Sequence, residues 1–330
     1  MWTIERIVHF EPGDFVKDGV THFGFRDERG RLFGIDHGRH YVALVREGGR
    51  IEWTVSAHGV APGIPNVTTP LSFPMYVDLL PDGSPIVSNF GNARLYRVDT
   101  HTMTSELLVD GAALGMVDMG NCVVDGEGSV WINEVRGCRV WRFDSAGKPT
   151  LTLGNGEPGF QRGAVAFDEA RFHWIYDIRL GRDGNLWVLD SRNYALRVVD
   201  SVDRAVRTVA GTGEPGYSGD GGDPLEATFG GEPGARFDGP ISLSLDEDGI
   251  AYVGDRFNNV VRMVDVRGRD VSTIAGNPVA DDARANPATE RDPMRLNLPQ
   301  ISSMDYHRGR LFVPTDLDGD RGDLAVLSRV

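Results

Sequence analysis

The sequence predicts an all-β protein, a six-bladed β-propeller of four-stranded antiparallel blades. Three observations predict it. One strand–turn–strand segment recurs six times, each copy carries a glycine at the same place in its turn, and a single apolar strand at the N-terminus has no partner nearby.

The six copies read HFGFRDERGRLFGID, MYVDLLPDGSPIVSN, GNCVVDGEGSVWINE, YDIRLGRDGNLWVLD, ISLSLDEDGIAYVGD and ISSMDYHRGRLFVPT. Their turn glycines are Gly30, Gly83, Gly128, Gly184, Gly249 and Gly309, at intervals of 53, 45, 56, 65 and 60 residues. The intervals vary with the connectors, while the unit keeps its length. Aromatic and β-branched runs such as LWVLD and AYVGD read as strands, and Asp183-Gly184 and Asp248-Gly249 are hairpin turns. A third strand follows in RLYRVD, RVWRFD, LRVVD and VVRMVD, and a fourth in VRTVAG and VSTIAG. Such sheets cannot bury their faces singly; arranged radially, they can.

The last unit has strands near 299–306, 310–315 and 323–329, one short of a blade. WTIERIVHF (2–10) can supply the missing outer strand, which makes residues 1–330 a single closed domain. A two-domain sandwich is the alternative.

Charge narrows the partners. The net charge of −14 and the lack of any basic run longer than RGR argue against nucleic acid. No apolar stretch approaches the roughly 18 residues of a membrane helix. The start, MWTIERIVHF, has neither the basic nor the apolar region of a secretory signal. Cys122 and Cys138 are too few for a disulfide framework, so a reducing, cytoplasmic setting is expected. The partner expected is a small-molecule substrate.

Gly-Glu-Pro-Gly occurs at 156–159 and again 57 residues later at 213–216. Both copies fall in connectors between consecutive blades, where glycine and proline serve backbone geometry. TVAGTGEPGYSGDGGDPLEATF, followed by GPISLSLDEDGIAYVGDRFNNVVRMVD, resembles an NHL repeat. The likeness is close in the fourth and fifth units and degenerate in the first and last. THFGFRDERGRLFGID is similar to the opening blade of the gluconolactonase and regucalcin group, whose propellers also have six blades.

Innermost strands enter the ring on the face that also receives the long connectors, so that face is where a site is expected. Seven and eight residues before the turn glycines, apolar side chains suit a packed centre. His22, Asn121, Tyr176 and Asp177 are the polar exceptions, with Tyr76 in the equivalent place of the second unit. In the gluconolactonase group, acidic and amide side chains at these entries bind one divalent cation. The resemblance therefore implies a metal on Asn121 and Asp177, with His22 near where that group has a Glu. Oxygen ligands suit Ca²⁺; an imidazole turns the set towards Zn²⁺. The other reading of this cluster is a hydrogen-bonded polar plug.

A second ring lies six residues after each turn glycine: Asp36, Asn89, Glu134, Asp190, Asp255 and Thr315. Asn92, Asn193 and Asn258 follow three residues later and suit turn-shaping bonds. Glu134 has Gly137 in that place, which leaves it freer to act. His22, Glu134 and Asp177 are the catalytic candidates. His37, Arg39 and His40 in DHGRHY, together with His173, Trp174, Tyr176 and Tyr76, are the substrate-binding candidates. DLDGDRGD (316–323) echoes a calcium loop, but its glycine falls one place late and Leu327 stands where Glu is needed, so a hairpin turn is expected.

Three functions are consistent with these residues. The first is a metal-assisted hydrolase or lyase, lactonase- or esterase-like, in which His22 or Glu134 moves a proton. The second is a non-catalytic NHL scaffold for a protein or peptide. The third is a metal-free pocket enzyme resembling strictosidine-synthase-like propellers, with Glu134 as its one carboxylate.

Overall fold

The computed structural model describes residues 1–9, 21–25, 32–45, 51–60, 62–235, 238–278, 291–298, 301, 303–315 and 323–329. Six sheets are present, and each contains one strand–turn–strand unit at its inner edge. Their innermost strands are Thr21–Phe25, Pro74–Leu79, Cys122–Val124, Ile175–Leu180, Ser242–Leu245 and Asp305–His307. The six-bladed propeller read from the repeat is the observed fold.

Closure follows the expected route. Trp2–His9 runs antiparallel to Asp323–Arg329, from Trp2 opposite Arg329 to His9 opposite Asp323, and forms the outer edge of the sixth blade. The described residues hold six apolar clusters, one at each interface between neighbouring blades. Leu32, Tyr41 and Ala43 of the first blade pack on Phe312, Leu324 and Val326 of the sixth, which shuts the ring. Every blade thus buries both faces, as radial stacking requires.

Two short strands were not anticipated. Asn66–Thr68 adds in parallel to the first blade, and Val165–Ala166 adds antiparallel to the fourth; both belong to long connectors. The calcium-like loop at 316–322 lies outside the described residues.

The Gly-Glu-Pro-Gly turns have a shared mechanical partner. Asn193 Nδ2 donates to Gly159 O at 2.7 Å, and Asn258 Nδ2 donates to Gly216 O at 3.0 Å. Each asparagine thus ties the last glycine of one copy to its own blade. Deeper in the fifth blade, Arg262 is fully buried and donates to Ser218 O at 3.0 Å and Asp220 Oδ1 at 2.8 Å, clasping the SGDGG loop. A third copy at 231–234 begins 18 residues after the second, within the same connector, so it marks no further blade. Its Gly234 N–H is taken by Asp238 Oδ2 at 2.8 Å.

Candidate functional site at the propeller axis

The innermost strand of the fourth blade presents Asp177 and Arg179 two residues apart, hence on one face. Asp177 Oδ1 accepts from Asn121 Nδ2 of the third blade at 2.6 Å, and its Oδ2 accepts from Leu243 N of the fifth at 2.8 Å. Arg179 Nη1 also donates to Asp177 Oδ1, and to Ile178 O at 2.8 Å. The guanidinium lies over the Tyr76 ring of the second blade, 4.7 Å from its centroid. Four blades therefore meet in one polar cluster. All four side chains are buried.

The cluster is incompletely satisfied. Arg179 Nε and Nη2 and Asn121 Oδ1 are buried without a hydrogen-bond partner. Buried polar atoms are rarely left so, because each forfeits its hydration for nothing. Asn121 and Asp177 are thus brought into contact. His22 stands on the innermost strand of the first blade, opposite Ile35, and its side chain lies outside the described residues.

These residues do not fit the divalent cation implied by the gluconolactonase resemblance. Asp177 has both oxygens engaged by N–H donors, and one of them already carries the Arg179 guanidinium, a fixed positive charge where an ion would have to sit. Asn121 turns its amide nitrogen, not its oxygen, towards Asp177. Among the described residues, no three His, Cys, Asp or Glu side chains are grouped so as to hold a metal.

Glu134 departs from its expectation as a freer carboxylate. It is fully buried, and its Oε1 accepts from Val117 N at 2.6 Å while Oε2 accepts from Trp141 Nε1 at 3.1 Å. Gly137 is not a vacancy beside it: a Cβ there would overlap the Glu134 carboxyl group. The equivalent Asp190 accepts from His173 N at 2.7 Å and Arg197 Nη1 at 3.1 Å, and Asp255 accepts from Gly230 N at 3.1 Å. In each case a strand-end carboxylate captures an N–H of the connector arriving at that blade. Glu134 with Trp141 does in the third blade what Asp190 with Arg197 does in the fourth, seven residues apart in both.

The DHGRHY loop turns His37 inward, while Gly38, Arg39 and His40 stay exposed. His37 is buried, stacks on Phe73 with centroids 4.8 Å apart, and donates Nδ1–H to Pro74 O at 2.5 Å. His40 Nδ1 accepts from Phe73 N at 2.8 Å, and Arg39 N donates to Asp36 Oδ1. Both histidines tie the first blade to the strand that opens the second, His37 from a buried position and His40 from an exposed one. The Arg39 side chain is half exposed. At the fourth blade, Trp174 stacks beneath the Arg192 guanidinium at 3.7 Å, and half-buried His173 and Tyr176 flank it on the connector face. Burial, and then the nearby Arg192, lower the His173 pKa.

Burial pushes the His37 pKa down to about 4, against the opposing pull of its bond to Pro74 O. The unfolded imidazole titrates near 6.5, so between about pH 6.5 and 4 the unfolded chain binds the extra proton. The stability that His37 contributes is complete above pH 6.5 and lost on acidification, by about 3 kcal/mol over the whole range. His37→Asn keeps a donor for Pro74 O and does not titrate. Its denaturation midpoint is expected to fall less between pH 7 and 5 than that of the wild type; parallel profiles contradict this.

Arg179 is the residue that sequence reasoning missed. Its signal was its place two residues after Asp177: it is the one cation found five residues before any of the six turn glycines.

No family model matches the chain. NHL repeat-containing protein 2 from Gallus gallus is 31% identical over 118 residues, covering 35% of this chain and 15% of that protein. The chain spans no more than 15% of the length of the curated relatives it matches. Among solved structures, virginiamycin B lyase from Staphylococcus aureus superposes with a TM-score of 0.57 at 12% identity, covering all of both chains. A gluconolactonase from Xanthomonas campestris gives 0.58 at 13% identity, covering 97% of this chain and 89% of its own. These likenesses establish a shared propeller fold. No helix among the described residues is long and apolar enough to cross a membrane.

Proposed function

We propose that this propeller is a lactonase- or lyase-like enzyme that opens a small ester or lactone at its axis, with Arg179 as the group that polarises the substrate carbonyl. The observation that carries this reading is the pair of unpartnered, buried donors on Arg179, held in place by Asp177 and Tyr76. A donor that is fixed, desolvated and unmatched is what a developing oxyanion needs. Likeness in fold to a lyase and a gluconolactonase supports the scaffold, and the axis residues support the chemistry.

Two routes use the same groups. In hydrolysis, the oxygen of water bonds to the acyl carbon, the acyl C–O bond breaks, and the proton lost by water passes through His22 to the departing alkoxide. In elimination, His22 removes a proton from the carbon beside the alkoxy carbon, a C=C bond forms, and the alkyl C–O bond breaks to release a carboxylate. Asp177 acts as a positioning residue for Arg179 in both. Asn121 Oδ1 is free to accept from the nucleophilic water or a substrate hydroxyl.

The purified protein is expected to release acid from at least one member of a panel of γ- and δ-lactones and cyclic esters. His22→Asn should lower kcat by about 100-fold or more, the usual share of a proton-transfer group. Chelator is expected to leave the rate unchanged, whereas a chelator-sensitive rate restored by Ca²⁺ or Zn²⁺ returns the ion to the mechanism. An inert protein, or a His22→Asn variant with the wild-type rate, overturns the reading.

A further inference from the structure

Arg179 does not offer its donors at random. Nη1 is consumed by Asp177 Oδ1 and Ile178 O, which leaves Nε and Nη2. Those two N–H groups form the side-on edge of a guanidinium, parallel and spaced to match the two oxygens of a carboxylate. The side chain is only 9% exposed, and both Nε and Nη2 are shielded from bulk water. It is also rigid: Asp177 holds one end, Tyr76 supports the plane, and Asp177 is itself anchored by Asn121 and Leu243 N.

We infer that the axis binds a carboxylate side-on to the Nε/Nη2 edge of Arg179, so that the ligands of this site are small carboxylic acids. The inference rests on the axis being a ligand site, as proposed above, and names what the site retains. Either ester-opening route ends in a carboxylate, and the carbonyl oxygen first polarised by Arg179 becomes one of its two oxygens. The product then fits the fork better than the substrate does, because two acceptors replace one. Product inhibition by the acid follows.

Charge at the axis agrees with a single carboxylate. Asp177 already neutralises one side of the guanidinium, so the site suits one monoanion bound through geometry more than through net charge. Asn121 Oδ1, an acceptor without a donor, suits a hydroxyl on the same ligand. A hydroxycarboxylate satisfies both orphaned groups together.

The test uses the whole wild-type chain with acetate, glycolate, benzoate and D-gluconate, each beside its amide, followed by calorimetry and thermal denaturation. At least one acid is expected to bind about 10- to 100-fold more tightly than its amide, the worth of a charge-assisted pair over a neutral one. Gluconate or glycolate should exceed acetate. In Arg179→Lys, which keeps the positive charge beside Asp177 but lacks the fork, the preference for acid over amide should shrink by about 10-fold. If no acid in the set binds better than its amide, or if the preference is undiminished in Arg179→Lys, the inference falls. The acid–amide comparison needs no variant, so poor folding of Arg179→Lys does not shelter it. Lactone opening without carboxylate binding overturns this inference alone; carboxylate binding without lactone opening overturns the enzymatic reading alone.

Discussion

Removal of residues 1–9 is expected to cost this protein more stability than any single substitution. The segment forms the outer strand of the sixth blade and pairs with Asp323–Arg329 along its length. Trp2 and Ile4 lie in the cluster between the fifth and sixth blades, alongside Tyr252, Leu311 and Leu327, and Trp2 meets the Tyr252 ring edge-on at 5.5 Å. Burying the two side chains contributes about 3–6 kcal/mol, a large part of the 5–15 kcal/mol typical of a whole domain. Loss of the strand also bares the edge of Asp323–Arg329 to pairing with other chains. The shortened chain should melt on the order of 10 °C lower and aggregate, and a synthetic peptide of residues 1–9 should restore part of the loss in trans. A midpoint within about 2 °C of the full chain's means that the ring does not depend on this closure.

Arg197→Leu comes second, and its effect carries a pH signature. Arg197 and Asp190 are both fully buried and joined at 3.1 Å, with the guanidinium between the rings of Phe160 and Phe172. Burial pushes the Asp190 pKa up to about 6, and Arg197 is the chief group holding it from rising further. The unfolded carboxyl titrates near 3.9. The folded state therefore binds the proton more readily, so this group's contribution is present below about pH 4 and is lost as pH rises through about 6. Without Arg197 the carboxylate has no cation at hand, and removing one partner of a buried pair costs about 3–5 kcal/mol. That penalty should be largest at pH 8 and shrink towards pH 5, where Asp190 is protonated. Chemical denaturation at both values measures it. A penalty independent of pH contradicts the account, as does a failure of Asp190→Asn to recover part of the loss in the double variant.

The carboxylate ring shows how far spacing alone could be read. The positions of Asp36, Asn89, Glu134, Asp190 and Asp255 followed from counting six residues past each turn glycine, and for Asn89, Asp190 and Asp255 a turn-shaping role followed from the asparagines three residues on. Asn193 and Asn258 make those bonds, to Asp190 at 2.8 Å and Asp255 at 2.7 Å. The missing asparagine at Gly137 is a poor guide to Glu134, both of whose carboxylate oxygens accept hydrogen bonds. The residue seven places on was the better guide: Arg197, Arg262 and Trp141 occupy one register, and each serves the connector side of its blade. His37 departs from the expectation of an exposed loop for a related cause. Gly38, Arg39 and His40 are exposed, as a short polar loop suggests, but closure of the ring brings the next blade against His37.

Blade number, turn positions and the order of strands were settled by the sequence itself, since each depends on residues within about fifteen places of one another. Hairpin turns and alternating apolar side chains act over that distance, and a sixfold repetition of them leaves few folds that bury every face. The axis was decided by tertiary structure. Asn121, Asp177 and Tyr76 come from three blades, and whether Asp177 faces a metal ion or a guanidinium depends on how far Arg179 reaches across the ring. That reach is set by the diameter of the closed propeller, a property of all six sheets together that no local stretch encodes.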